Sequence, residues 1–141
     1  MTIHQISVFI ENKFGRLNEI LALIAKEDIR IVTATIADTS EFGILRIITT
    51  DPNKALRILT ENNVSANMSD VFAIETESKA GSFVSIVDSF TQAGISIEYM
   101  YCFSSNEKGI LVLRVNNKEA ALEVIRRKNI VCISESELIS M

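Results

Sequence analysis

Catalysis and metal binding need side chains whose charge or nucleophilicity is tuned by neighbours, and this 141-residue chain offers few of them. His4 is the single histidine; it heads an alternating stretch and has no partner at metal-ligand or relay spacing, so a solvated or structural role is expected. No serine sits in a GxSxG elbow, and Ser104-Ser105 reads as turn chemistry. Glu75 and Glu77 share one face of a strand-like segment, a spacing at which two carboxylates can divide acid and base work, but at a strand end solvated charge is the simpler assignment. Cys102 and Cys132 lie in strand-like segments without CxxC spacing, which predicts reduced, buried thiols. With no Walker-type or GxGxxG glycine pattern either, the chain reads as a non-enzyme with no metal and no cofactor.

Binding chemistry has a better candidate. Between an alternating strand (Ile6, Val8, Ile10) and a helical stripe (Leu17, Ile20, Leu21, Ile24) lies Asn12-Lys13-Phe14-Gly15-Arg16-Leu17. Gly15 has no Cβ, so it lets the backbone turn from strand into helix and lets a ligand approach the N–H groups of Gly15, Arg16 and Leu17. Those groups are the positive end of a helix dipole, where a carboxylate is a natural guest. The Asn12 side chain could hold the ammonium of the same guest, or it could cap the helix. Arg16 opposes the dipole in the first turn; exposure or an anionic guest would each explain it.

The loop occurs twice. At an offset of 66 residues, 81 minus 15, Gly81 returns for Gly15, Ile86 for Ile20, Ile95 for Ile29, Ile97 for Ile31, and Gly109-Ile110-Leu111 for Gly43-Ile44-Leu45. The second loop is Ser78-Lys79-Ala80-Gly81-Ser82. Ser78 is a shorter reach than Asn12, so the first loop is expected to bind better.

These loops need a scaffold, and the pattern around them supplies it twice. After the helix come two strands, about 30–38 and 42–49, joined by a turn containing Glu41 and Gly43 that returns as Glu107 and Gly109. Asp51-Pro52 then opens a second helix as N-cap and N1, and Asn117 caps its counterpart. A last strand begins near Val64, breaks around Met68 to Asp70, and leads into the next unit. The fold class is therefore α+β: two tandem βαββαβ ferredoxin-like units, residues 1–69 and 70–141, each a four-stranded antiparallel sheet in order 4-1-3-2 with two helices on one face. The third strands, Ile44 to Ile48 and Ile110 to Val115, are almost continuously apolar, as strands buried on both faces are. Helices cover one face, so the other is expected to pack on a second unit or a second chain. Tyr99, Tyr101 and Phe103 share a face of an edge strand, where they suit packing against another unit or the wall of an apolar pocket.

Composition excludes several partners. A net charge of −4 and a pI of about 5.0 argue against nucleic acid. No apolar run is long enough to span a bilayer and no basic leader precedes the first strand, so no membrane partner and a cytoplasmic location are expected. Ferredoxin-like units also serve as RNA-recognition modules, copper chaperones and acylphosphatases. Here, however, Phe9 lacks basic neighbours, the first loop lacks cysteines, and Gly15 is the one glycine near Arg16.

The stretch Ile10-Glu11-Asn12-Lys13-Phe14-Gly15-Arg16-Leu17, followed by a helix and Asp28-Ile29-Arg30-Ile31, resembles the ACT domain, the small regulatory module of amino-acid-metabolising enzymes. The resemblance covers the whole chain as two copies; Phe14 and Ala80 stand where the family signature has proline. It implies a regulatory protein that binds a small molecule, an amino acid, through Asn12 to Leu17 and Ser78 to Ser82. Asn12 takes the role of an effector-contacting Asn, while Ile10 replaces the His of serine-sensing members and so favours a less polar effector. Its output would be a contact, within a homodimer or with a partner enzyme. The alternative is an adaptor or enzyme subunit whose loops bind nothing.

Overall fold

The computed structural model describes residues 1–38 and 41–141; Thr39 and Ser40, in the first turn between strands, lie outside the described residues. Eleven elements follow in order among the described residues: β1 (Ile3–Glu11), α1 (Arg16–Lys26), β2 (Ile31–Asp38), β3 (Phe42–Thr49), α2 (Pro52–Glu61), β4 (Ala66–Thr76), α3 (Ser82–Gln92), β5 (Ile97–Ser105), β6 (Lys108–Val115), α4 (Lys118–Arg127) and α5 (Glu135–Ile139). They divide into two compact units. One is His4–Ser69; the other is Asp70–Met141 together with Met1–Ile3.

In the first unit the strands run in the order β2-β3-β1-β4, with β3 antiparallel to both β1 and β2. Ile6, Val8, Ile10, Leu45 and Ile47 alternate onto one face and meet Ile20 and Ile24 of α1 and Ala55, Ile58 and Leu59 of α2 in a single core. Both helices therefore lie on that face. The opposite face carries Gln5, whose amide donates to Ser7 Oγ at 3.2 Å.

The second unit repeats the plan. β6 is antiparallel to β4 and to β5, and Phe72, Ile74, Leu111 and Leu113 pack with Phe90 of α3 and Ala121 and Val124 of α4. Even an irregularity is copied: the β2–β3 register shifts between Ile31 and Thr33, and the β5–β6 register between Ile97 and Tyr99. The ferredoxin-like α+β architecture expected from the repeat is present in both units.

Two local expectations need correction. Where a break was expected at Met68 to Asp70, β4 runs unbroken, because Asn67-Met68-Ser69-Asp70 contains neither Gly nor Pro to interrupt extended backbone. The fourth strand of the second unit shrinks to one bridge, Ile74 with Cys132, flanked by bonds from Glu75 N–H to Val131 O and from Ile133 N–H to Ala73 O. Ser134 then starts α5: its hydroxyl accepts from Glu137 N–H while the Glu137 carboxylate accepts from Ser134 N–H. Ile110 and Val112, on the β6 face away from the helices, are fully buried.

Candidate functional site

Both loops enter their helices through a left-handed glycine. Gly15 has φ 82° and Gly81 φ 87°, torsions that an L side chain resists, and each is the N-cap of its helix with no side chain capping it. The capping reading of Asn12 is thereby corrected: Asn12 lies three residues before the cap, and its own N–H donates to Glu41 O. The free donors also shift by one residue. Arg16 N–H is taken by Lys13 O at 3.1 Å and Ser82 N–H by Lys79 O at 3.4 Å. Among the described residues, no acceptor meets the N–H groups of Leu17 and Asn18 on α1, or of Phe83 and Val84 on α3.

The loop side chains are exposed and paired by charge. Lys13 meets Glu11 at 2.7 Å and Lys79 meets Glu77 at the same distance, so the two copies carry the same short ion pair just before their glycine. The hydrogen bond and the charge of the lysine hold each carboxyl below the usual glutamate range. Arg16 turns to Glu19, its own helix neighbour, at 3.1 Å. Phe14 stands fully out in solvent at the tip of the first loop, and Ala80 takes its place in the second. Asn12, Lys13, Gly15, Ser78 and Gly81 are exposed; Arg16 and Ser82 are half-buried, the Ser82 hydroxyl donating to Glu77 O at 2.8 Å.

The two copies enclose different spaces. At the first loop a cavity of about 230 Å³ is lined by Asn12, Lys13, Leu17, Ile36 and Gly43 among others. At the second, a cavity of about 740 Å³ takes in Ser78 to Ser82, Thr76, Cys102, Ser104 and Lys108. A further apolar recess of about 340 Å³ adjoins it, and Phe83 and Val84 line both.

Thr76 was not marked by its sequence neighbourhood. It stands opposite Gly109 in the β4–β6 register, and its residue is 8% exposed. Its hydroxyl makes no hydrogen bond among the described residues and is open to the cavity rather than sealed in the core. A Cβ placed on Gly109 would run into that hydroxyl, whereas the equivalent Gly43, opposite Ile10, leaves 3.7 Å to its nearest neighbour. A glycine is thus what makes room for the Thr76 hydroxyl at the cavity wall.

Other candidates resolve simply. Glu75 faces Lys108 at 3.5 Å and Glu77 faces Lys79, so the two carboxylates are each held by a lysine rather than by one another. Cys102 is exposed, correcting the expectation of two buried thiols: it lies on edge strand β5, beside the cavity. Cys132 is half-buried, and loss of water raises its thiol pKa. Among the described residues no cluster of His, Cys, Asp and Glu could hold a metal ion, and no helix is long and apolar enough to cross a membrane.

A family model for an ACT domain pair matches residues 1–141. No curated protein matches the chain. Among solved structures, protein BT0572 from Bacteroides thetaiotaomicron superposes with a TM-score of 0.93 at 35% identity, over 100% of this chain and 98% of that one. The ligand-free regulatory subunit of aspartate kinase from Thermus thermophilus gives 0.60 at 15% identity, over 88% and 91% of the two chains. The corresponding subunit from Thermus flavus gives 0.60 at 18%, over 88% and 90%. At those identities the two Thermus subunits show a shared fold.

Proposed function

The chain belongs to the ACT domain pair family, and from that premise we propose that it is a non-catalytic regulatory protein whose loops bind an amino acid. The observation that carries this reading is the repeated helix entrance: a left-handed glycine, two unbonded N–H groups behind it, and a cavity in front of them, in both copies. A carboxylate fits there, because the N–H groups and the helix dipole both favour negative charge and desolvation by the cavity strengthens them. Residues 1–69 and 70–141 are the two ACT-like domains in this reading. Occupancy favours one arrangement of the protein over another and so changes the surface a partner meets, as a homodimer or with a metabolic enzyme in the cytoplasm.

A thermal-shift screen of the full chain against the common amino acids tests this. A ligand present at about 100 times its dissociation constant adds roughly 2.7 kcal/mol of stability and raises the melting temperature by several degrees. No shift with any amino acid at millimolar concentration overturns the reading. The exposed Phe9, Phe14 and Phe42 of the first unit favour a second reading, an adaptor that binds protein alone. It predicts self-association or partner binding unchanged by any amino acid.

A further inference from the structure

We propose that the cavity at the second loop is the occupied site and selects an α-amino acid with an apolar side chain, the Thr76 hydroxyl binding its ammonium group. This rests on the amino-acid reading above and adds which copy binds and what side chain it takes.

Three independent features of the second unit converge on one space. The first is the Thr76 hydroxyl, on a residue more than nine-tenths buried, lining the cavity and lacking a partner. A hydroxyl that faces the cavity with both its donor and its acceptor uncommitted is available to a guest there. The first copy has Ile10 at this place, which offers no hydrogen bond.

The second feature is charge of both signs around the cavity. Glu77, Lys79, Glu107 and Lys108 line it together with the open N–H groups of Phe83 and Val84. A zwitterion meets acceptors and donors there, whereas a simple anion or cation would face like charge as well. With the carboxylate on the helix entrance, the Thr76 hydroxyl accepts from the ammonium.

The third is the recess that continues the cavity along α3. Phe83, Val84, Val87 and Met100 line it; Val84 is 71% exposed and Met100 42%. Apolar side chains this open to water gain by being covered, and the recess of about 340 Å³ has room for an aliphatic or thioether chain. The recess shares Phe83 and Val84 with the cavity, so a ligand whose head sits on the α3 entrance directs its side chain there. At the first loop the cavity is about a third the size of the second one and includes Asp38.

Calorimetric titration of the full chain with L-leucine and L-methionine, against L-serine, L-aspartate and L-lysine, tests the proposal. Leucine or methionine is expected to bind at least about tenfold more tightly than serine, the scale of discrimination that a few buried methylenes supply. Thr76→Val should weaken leucine binding about tenfold or more, and Thr76→Ser should restore it. Val84→Asp, at an exposed position that tolerates polarity, should bring leucine and serine to near parity. Preference for a polar amino acid, or leucine affinity unmoved by both Thr76→Val and Val84→Asp, would each overturn the proposal while leaving the amino-acid reading in place. Binding of none of the five, with none in the wider screen, would remove both.

Discussion

Gly109 and Thr76 form a steric pair that can be tested without any ligand. Adding a methyl at Gly109 drives it into the Thr76 hydroxyl, and threonine, branched at Cβ, has little freedom to rotate away. Gly109→Ala is therefore expected to cost about 1 to 3 kcal/mol. Thr76→Ala in the same molecule should recover most of it, a coupling that denaturant unfolding of the two single variants and the double variant would measure. The same change at Gly43, with 3.7 Å of clearance, should cost little. The thiols separate as clearly. Cys102 is exposed, while burial raises the Cys132 pKa and reduces its thiolate, so iodoacetamide near neutral pH should label Cys102 first, as peptide mass spectrometry would read. A ligand in the second cavity should slow that labelling. At the loops, the depressed carboxyls of Glu11 and Glu77 mean that their pairing with Lys13 and Lys79 is present above the ordinary glutamate range and is lost as pH falls through the lowered folded-state value. An NMR titration should find Glu77 titrating low and moving up in Lys79→Ala. At this scale the sequence revealed the glycines, because only a left-handed turn explains glycine at a strand-to-helix junction twice. It did not reveal Thr76, whose meaning depends on a glycine one strand away in space and 33 positions away in the chain.

Elements were the most legible level. The helix stripes and the caps at Asp51 and Asn117 came directly from spacing, and their side chains accept from Lys54 N–H at 3.2 Å and Ala120 N–H at 3.1 Å. Asp51→Ala and Asn117→Ala should each lower stability by about 1 kcal/mol in thermal unfolding, with matching values in the two units if the duplication is energetic as well as geometric. What spacing missed lies at strand ends. A run such as Asn67-Met68-Ser69-Asp70 is polar enough to read as a loop, yet strand pairing holds it extended, since tertiary contacts outweigh propensity. The opposite happened near Cys132, where an apolar run too short to ladder gave way to the capping box at Ser134. Register, rather than composition, decides both cases.

For the molecule as a whole, the 66-residue offset makes the two-unit architecture readable from the sequence. On the bare sheet face, expected to pack on a second unit or a second chain, Ile110 and Val112 are already buried in one copy. Dimerisation is then a question for the exposed Phe9, Phe14 and Phe42, and light scattering across a wide concentration range should give dimer mass if they are covered by a second copy. Steady monomer mass would leave them as a surface for some other protein. Ile3 is fully buried and belongs to the same unit as Asp70–Met141. Ile3→Ala should destabilise that unit by about 2 to 4 kcal/mol.

That membership makes the His4–Ser69 unit an insertion within the other one. While the insertion is folded, Met1–Ile3 and Asp70 are held at a fixed separation by its ordered chain. Were it to melt alone, those ends would become the two ends of a floppy loop, and keeping Ile3 seated would cost on the order of 4 kcal/mol of chain entropy. Connectivity thus couples the two units, and a lesion confined to the inserted unit loosens the hold of its host on the first three residues.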